Sequence, residues 1–219
     1  MVARKAAVVS GLLVAALIVA AVLAWLNTPH NTLIPIHFDG RGQANGWARP
    51  GRAFALACIA PLMAWGVFAV LPYIDPRAQN LARSERAYGI AWIAVTLFTC
   101  ISAANVLARP FGFSPPTVRL HVLLLGALLI LLGNVMGKIR WNYTFGIRTP
   151  WTLADERVWD QTHRFGGWTF VAGGVALLIA SLAFSTLPPL ALLLLPTVLV
   201  ISAAVILRSY LLWRSLHRG

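Results

Sequence analysis

Residues 120–136 read LHVLLLGALLILLGNVM, with no Asp, Glu, Lys or Arg among them. At 1.5 Å per residue a helix of this length reaches roughly 25 Å, close to the thickness of a bilayer's hydrocarbon core. Five more runs have the same character: Ala6 to Leu26, Ala53 to Leu71, Ala87 to Ala108, Trp168 to Ser185 and Leu190 to Leu207. The chain is 59% hydrophobic and 11% charged, against roughly 45–50% and 25% in soluble domains. At membrane depth no water satisfies the backbone, so each segment must pair its own amides and carbonyls, and the runs lack the two-residue alternation of barrel strands. The expected fold is therefore an all-α integral membrane protein with six transmembrane helices. The first run follows Arg4 and Lys5 but is longer than the apolar core of a secretory signal, and it reads as a retained helix.

Charge gives the orientation. Formal net charge is +12, which would suit a nucleic-acid partner if the cations formed one patch. They alternate with the spans instead. Thirteen of the eighteen Lys and Arg fall at the two termini and in the second and fourth connections, and five on the opposite side. By the positive-inside rule the majority side is cytoplasmic, with both termini inside, and no direct contact with nucleic acid is expected. The spans carry no Asp or Glu, which argues against a transporter coupled through membrane carboxylates. Asn105, His121 and Asn134 are their costliest polar residues. Cys58 and Cys100 both fall within spans and read as small buried hydrophobes.

Two connections are long and polar. The outer one contains LIPIHFDGRGQANGWARPGR, in which Gly40, Gly42, Gly46, Asp39 and Asn45 supply turn chemistry. It reads as a structured excursion. Pro35 stiffens the approach to His37, and Trp47 is placed to anchor at the interface. His30, His37 and Asp39 are candidate metal ligands without a recognisable spacing, and the expectation is no metal and no cofactor.

The inner connection, 137–167, includes GIRTPWTLADERVWDQTHRFGG from Gly146 to Gly167. Asn142, Tyr143 and Gly146 suggest a turn, and Pro150 makes Thr149 extended. Thr152, three residues before Asp155, predicts a helix cap and a short amphipathic helix from about Leu153 to Arg164, ending at Gly166 and Gly167. On it Glu156, Trp159 and His163 share a face, and Asp160 can pair with Arg164. Two readings stay open. In one, Trp151, Trp159 and Trp168 are interfacial anchors and the charges only solvate the rest. In the other, Arg148, Glu156 and His163 converge on a pocket, with a forked donor beside a proton-exchanging pair.

With those residues in view the chain resembles the SdpI family of bacterial membrane proteins. The resemblance runs through Gly133-Asn134, Gly137-Lys138, Asn142-Tyr143, GIRTPWTL, Glu156, Val158-Trp159 and Thr162-His163-Arg164 followed by two glycines. PIHFDGRGQANGW, from Pro35 to Trp47, is similar to a small N-terminal domain of unknown function that often precedes that family's domain. Trp141 stands where members commonly have Pro, and Arg-Pro-Gly-Arg after Trp47 departs from the usual Lys-containing ending. The organisation this implies is 1–75 for a helical hairpin with its outer loop, 76–116 for a third helix with its connections, and 117–219 for the SdpI-like part.

The resemblance further implies a plasma-membrane protein that protects against a membrane-active secreted peptide toxin and holds a cytoplasmic transcriptional repressor, without catalysis. The residues expected to carry this are Asn134, Asn142, Arg148, Pro150, Trp151, Glu156, Trp159, His163 and Arg164, with Pro35, His37, Gly40 and Trp47 outside. The alternatives are a channel or transporter for a small solute, and a membrane enzyme using Glu156 and His163 as acid and base.

Overall fold

A computed structural model describes residues 3–39, 43–113, 117–183 and 187–217, with the side chains of residues 117 and 187–191 left aside. Gly40 and Gly42, both singled out in the sequence, lie outside the described residues. The elements in chain order are α1 (Arg4–Asn27), β1 (Ile34–Phe38), β2 (Ala44–Ala48), α2 (Pro50–Ile74), α3 (Ala78–Arg83), α4 (Glu85–Ala108), a 3-10 turn (Arg109–Phe111), α5 (Thr117–Met136), α6 (Pro150–Ala154), α7 (Glu156–Ala183) and α8 (Leu187–Leu216). Among the described residues six helices are long and apolar enough to cross a membrane: α1, α2, α4 with its 3-10 turn, α5, α7 and α8. The protein is a multi-pass all-α membrane protein.

The first three spans pack on one another. Their shared interior is built from small and medium side chains, among them Val14, Leu17, Ala21, Phe54, Cys58, Cys100 and Ala103. Lipid is as apolar as Leu, so helices associate in a bilayer by fit, and small residues permit close approach. The long polar connection after α1 is an antiparallel β-hairpin that caps this interior, with Ile34 and Ala48 buried in it. Pro35 lies opposite Trp47 and His37 opposite Gly46, with irregularities on either side of His37. A Cβ on Gly46 would lie 3.0 Å from that of His37, so the strands press closest where the register slips.

In the second half, α5 and α7 make the most extensive helix pair of the molecule. Gly126 faces Gly174 and Gly133 faces Gly167. A Cβ on any of the four would come within 2.5–2.9 Å of the carbonyl oxygen of the glycine opposite. The two glycines of each helix are seven residues apart, so one face of each returns to the seam after two turns.

This pairing corrects the expectation of a short surface helix ending at Gly166 and Gly167. The helix begins at Glu156 and continues unbroken to Ala183. The two glycines are interior positions, needed because Gly167 abuts the Gly133 carbonyl and Gly166 abuts Ile147 and Met136. Glycine read as a helix stop is here a contact. The cap is also displaced: Thr152 is the third residue of α6, reciprocally hydrogen-bonded to its N-cap Thr149. Asp155 caps α7, its Oδ1 accepting from the amides of Arg157 and Val158.

Candidate functional site

The motif connection between α5 and α6 is a loop in backbone terms, yet none of its buried side-chain polar groups is left without a partner. Asn142 is fully buried. Its amide nitrogen donates to the carbonyls of Arg140 and Phe145, and its Oδ1 accepts from the amides of Thr144 and Phe145. That uses the donors and lone pairs a carboxamide offers, so Asn142 folds the turn.

The loop is seated on the first half of the chain by residues that sequence inspection passed over. Asp75, 6% exposed at the end of α2, accepts from the Arg77 amide at 2.7 Å through Oδ1. Its Oδ2 accepts from the amides of Tyr143 and Thr144 at 3.1 and 3.0 Å and from the Thr144 hydroxyl at 2.6 Å. The Arg77 guanidinium lies 3.2 Å from the Trp141 ring centroid and 4.5 Å from that of Tyr143. Asn80 donates to the Trp141 carbonyl and the Ser84 hydroxyl accepts from the Arg140 amide. Phe145 enters edge-on against Phe68 and Tyr88, joining the aromatic cluster they form with Trp92. The signal available in sequence was slight: Asp75 is one of six acids in the chain and directly follows a span.

Asp75→Ala should therefore loosen the loop without touching its own residues. The Arg77 and Tyr143 amides and the Thr144 hydroxyl lose their acceptor, the Thr144 amide is left with Asn142 alone, and with water taking up part of the deficit the expected cost is about 2 kcal/mol. Thermal unfolding in detergent and faster amide exchange at Tyr143 and Thr144 would register it. Unchanged exchange at both amides would contradict the clamp.

On the α7 side, Trp159 and His163 are buried and stacked, ring centroids 4.0 Å apart. The Trp159 indole donates to the Ile139 carbonyl at 2.8 Å. His163 Nε2 accepts the Ile147 amide at 2.9 Å, which places the ring proton on Nδ1, 2.9 Å from the Trp159 carbonyl. The imidazole is thus a neutral strut with both nitrogens engaged; protonating Nε2 would set two donors against each other. Gly146 lies against this ring with φ of +121°.

The three residues of the pocket reading do not share a cluster. His163 is buried, whereas Glu156 and Arg148 are exposed, and Arg148 donates to the Tyr143 carbonyl at 3.3 Å. The tryptophans divide as well: Trp151 packs on Tyr210 of α8, Trp159 is internal, and Trp168 is 79% exposed. Pro150 is the exposed first residue of α6, where its missing N–H costs nothing. Thr149 Oγ1 lies 3.0 Å from Ser209 Oγ, tying the loop to α8. Among the described residues the ion pair at this end is Asp155 with Arg157 at 3.2 Å, and the His217 imidazole lies 3.7 Å from the same carboxylate. Burial pushes the Asp155 carboxyl up, but the Arg157 side chain with the Arg157 and Val158 amides outweighs it and holds the carboxyl below its ordinary range.

Asn134 and Arg164, both exposed, come together in a groove of about 320 Å³ with Gly133, Gly137, Gly167 and Trp168. The glycines leave it open, and it offers an amide, a guanidinium and an indole. In the hairpin after α1, His37 Nδ1 lies 2.5 Å from Asn45 Oδ1, and Trp47 is 54% exposed.

Comparison with known proteins now bears on this loop. The sequence model described as the SdpI/YfhL protein family matches residues 138–209, which take in the loop, α6, α7 and most of α8. Over those residues the chain is similar to the SdpI family. Over 187 residues it is 25% identical to the Immunity protein SdpI of Bacillus subtilis (strain 168), covering 84% of this chain and 85% of that protein. That likeness extends well beyond the SdpI domain into the first half, where Asp75 and Phe68 hold the loop. No solved structure matches the chain.

Proposed function

We propose that this protein is a non-catalytic, immunity-type protein of a bacterial inner membrane, with both termini and the SdpI loop on the cytoplasmic side. It protects against a membrane-active peptide toxin, and the loop is a rigid face on which a cytoplasmic partner such as a transcriptional repressor docks. One observation carries the reading. Asn142 and Thr152 in the loop and α6, and His163 in α7, use their buried polar groups to fold this end of the chain, while Arg148, Pro150, Glu156 and Arg164 are left exposed. Such an arrangement presents a fixed pattern of charge and shape, which suits recognition. The name of the B. subtilis relative supports the immunity class, and the excess of Lys and Arg in the loops at this end supports the orientation. Against an acid–base role for Glu156 with His163, the imidazole is buried with neither nitrogen available to a substrate.

The test is complementation. Cells lacking the gene are exposed to peptides secreted by related strains, and survival is compared with the intact gene and with Arg148→Ala/Arg164→Ala restored. Losing two charge-assisted contacts is expected to weaken protection by roughly tenfold or more, at unchanged abundance in the membrane. Full protection by the double variant would remove this face from the mechanism.

A further inference from the structure

A second groove, of about 540 Å³, lies where the first turns of α1 and α4 meet, and shares no lining residue with the first. Lys5, Arg83 and Arg86 line it above a floor that includes Ala6, Gly89 and Ile93. All three cations are exposed, and none is ion-paired within the described residues. The one acid on the rim, Glu85, is turned toward α1, where its Oε1 accepts the Ala3 amide at 3.2 Å. The helices run parallel, since Gly89 faces Ala3 and Ala6 at this end and Ala24 and Asn27 line a cleft with Leu107 and Ala108 at the other, so both bring the positive ends of their dipoles to the same place. Below the cations the floor is apolar and continues along two membrane-spanning helices.

Charge complementarity and this continuity with the bilayer define the occupant. We propose that the groove is a binding site for an anionic phospholipid, with the phosphate held by Lys5, Arg83 and Arg86 and an acyl chain lying over Ile90 and Ile93 of α4 beside α1. A soluble phosphate would gain the cations but leave the apolar floor wet. A zwitterionic lipid would cover the floor while bringing its own ammonium to a basic rim.

The full-length protein in detergent micelles, titrated with phosphatidylglycerol, phosphatidylcholine or inorganic phosphate, tests this through the thermal unfolding midpoint. Phosphatidylglycerol is expected to raise the midpoint and the other two to leave it unchanged. Basic residues near a membrane surface each change affinity for anionic lipid by roughly fivefold. Lys5→Gln/Arg83→Gln/Arg86→Gln should therefore weaken the phosphatidylglycerol effect at least about tenfold. Arg83→Lys/Arg86→Lys and Arg214→Gln, a cation at the end of α8 outside the groove, should keep it. Equal effects of phosphatidylcholine or of phosphate on the wild-type protein would overturn the proposal even if the triple variant fails to fold. So would a triple variant that responds like wild type, or an equal loss in Arg214→Gln.

Discussion

Gly146→Ala is expected to unseat the SdpI loop and destabilise the protein by about 4 kcal/mol, combining the strain of a side chain at this backbone angle with overpacking. With φ at +121° the residue occupies a region L-residues rarely adopt. The added methyl would stand 2.4 Å from His163 Nε2 and 3.2 Å from the Trp159 ring. Neither neighbour can yield cheaply. His163 is fixed at both nitrogens, and the Trp159 indole is held by the Ile139 carbonyl. Moving the backbone away instead breaks the Ile147 amide bond to His163 and draws Phe145 from its place against Tyr88. The measurable results are a lowered unfolding midpoint in detergent and quicker amide exchange at Ile147. A Gly146→Ala protein with wild-type midpoint and exchange would show that the loop does not rest on the imidazole.

Gly133→Ala/Gly174→Ala should part α5 from α7. Alanine normally improves a helix over glycine by about 1 kcal/mol, through backbone entropy alone. Here the new methyls would meet carbonyl oxygens at 2.7 Å and 2.5 Å, and a backbone atom cannot rotate aside as a side chain would. Overpacking at roughly 1–3 kcal/mol per site outweighs the entropic gain, so the pair together should cost about 3 kcal/mol or more. Gly66→Ala supplies the internal control, because nothing lies within 4 Å of a Cβ there; it should be neutral or mildly stabilising. Unfolding midpoints of opposite sign for the two variants are the expected outcome. If both moved together, helix propensity and not the glycine seam would be controlling stability.

Much of this molecule follows from local composition. A run such as 120–136 has to become a helix in lipid, because no other conformation pairs its backbone without help from neighbours. The same physics makes the other five spans legible. Extended Thr149 before Pro150 and the turn around Asn142 were equally readable, since proline geometry and side-chain-to-backbone bonding are properties of a few adjacent residues. The reading failed at Gly166 and Gly167. In a single chain segment two glycines after Arg164 look like a helix end, and only Ile147 and Met136 against Gly166, with Gly133 across the seam from Gly167, make them interior contacts.

The sequence also could not tell which polar residues fold the loop and which face outward. Glu156, Trp159 and His163 share a helical face by spacing, but Trp159 and His163 turn under Gly146 and Ile147 while Glu156 stays in the open. Asp75 and Thr144 are 69 residues apart and meet at 2.6 Å. What the sequence settled by itself was the number of crossings and the composition of their connections, because those depend on transfer from water to hydrocarbon summed along contiguous residues. The seat of the SdpI loop on Asp75, Arg77 and Phe68, and the exposure of Arg148 and Arg164, were decided only in the tertiary structure. Each needs groups from distant segments to satisfy one another's hydrogen bonds and fill one another's space, and adjacency along the chain carries no record of that.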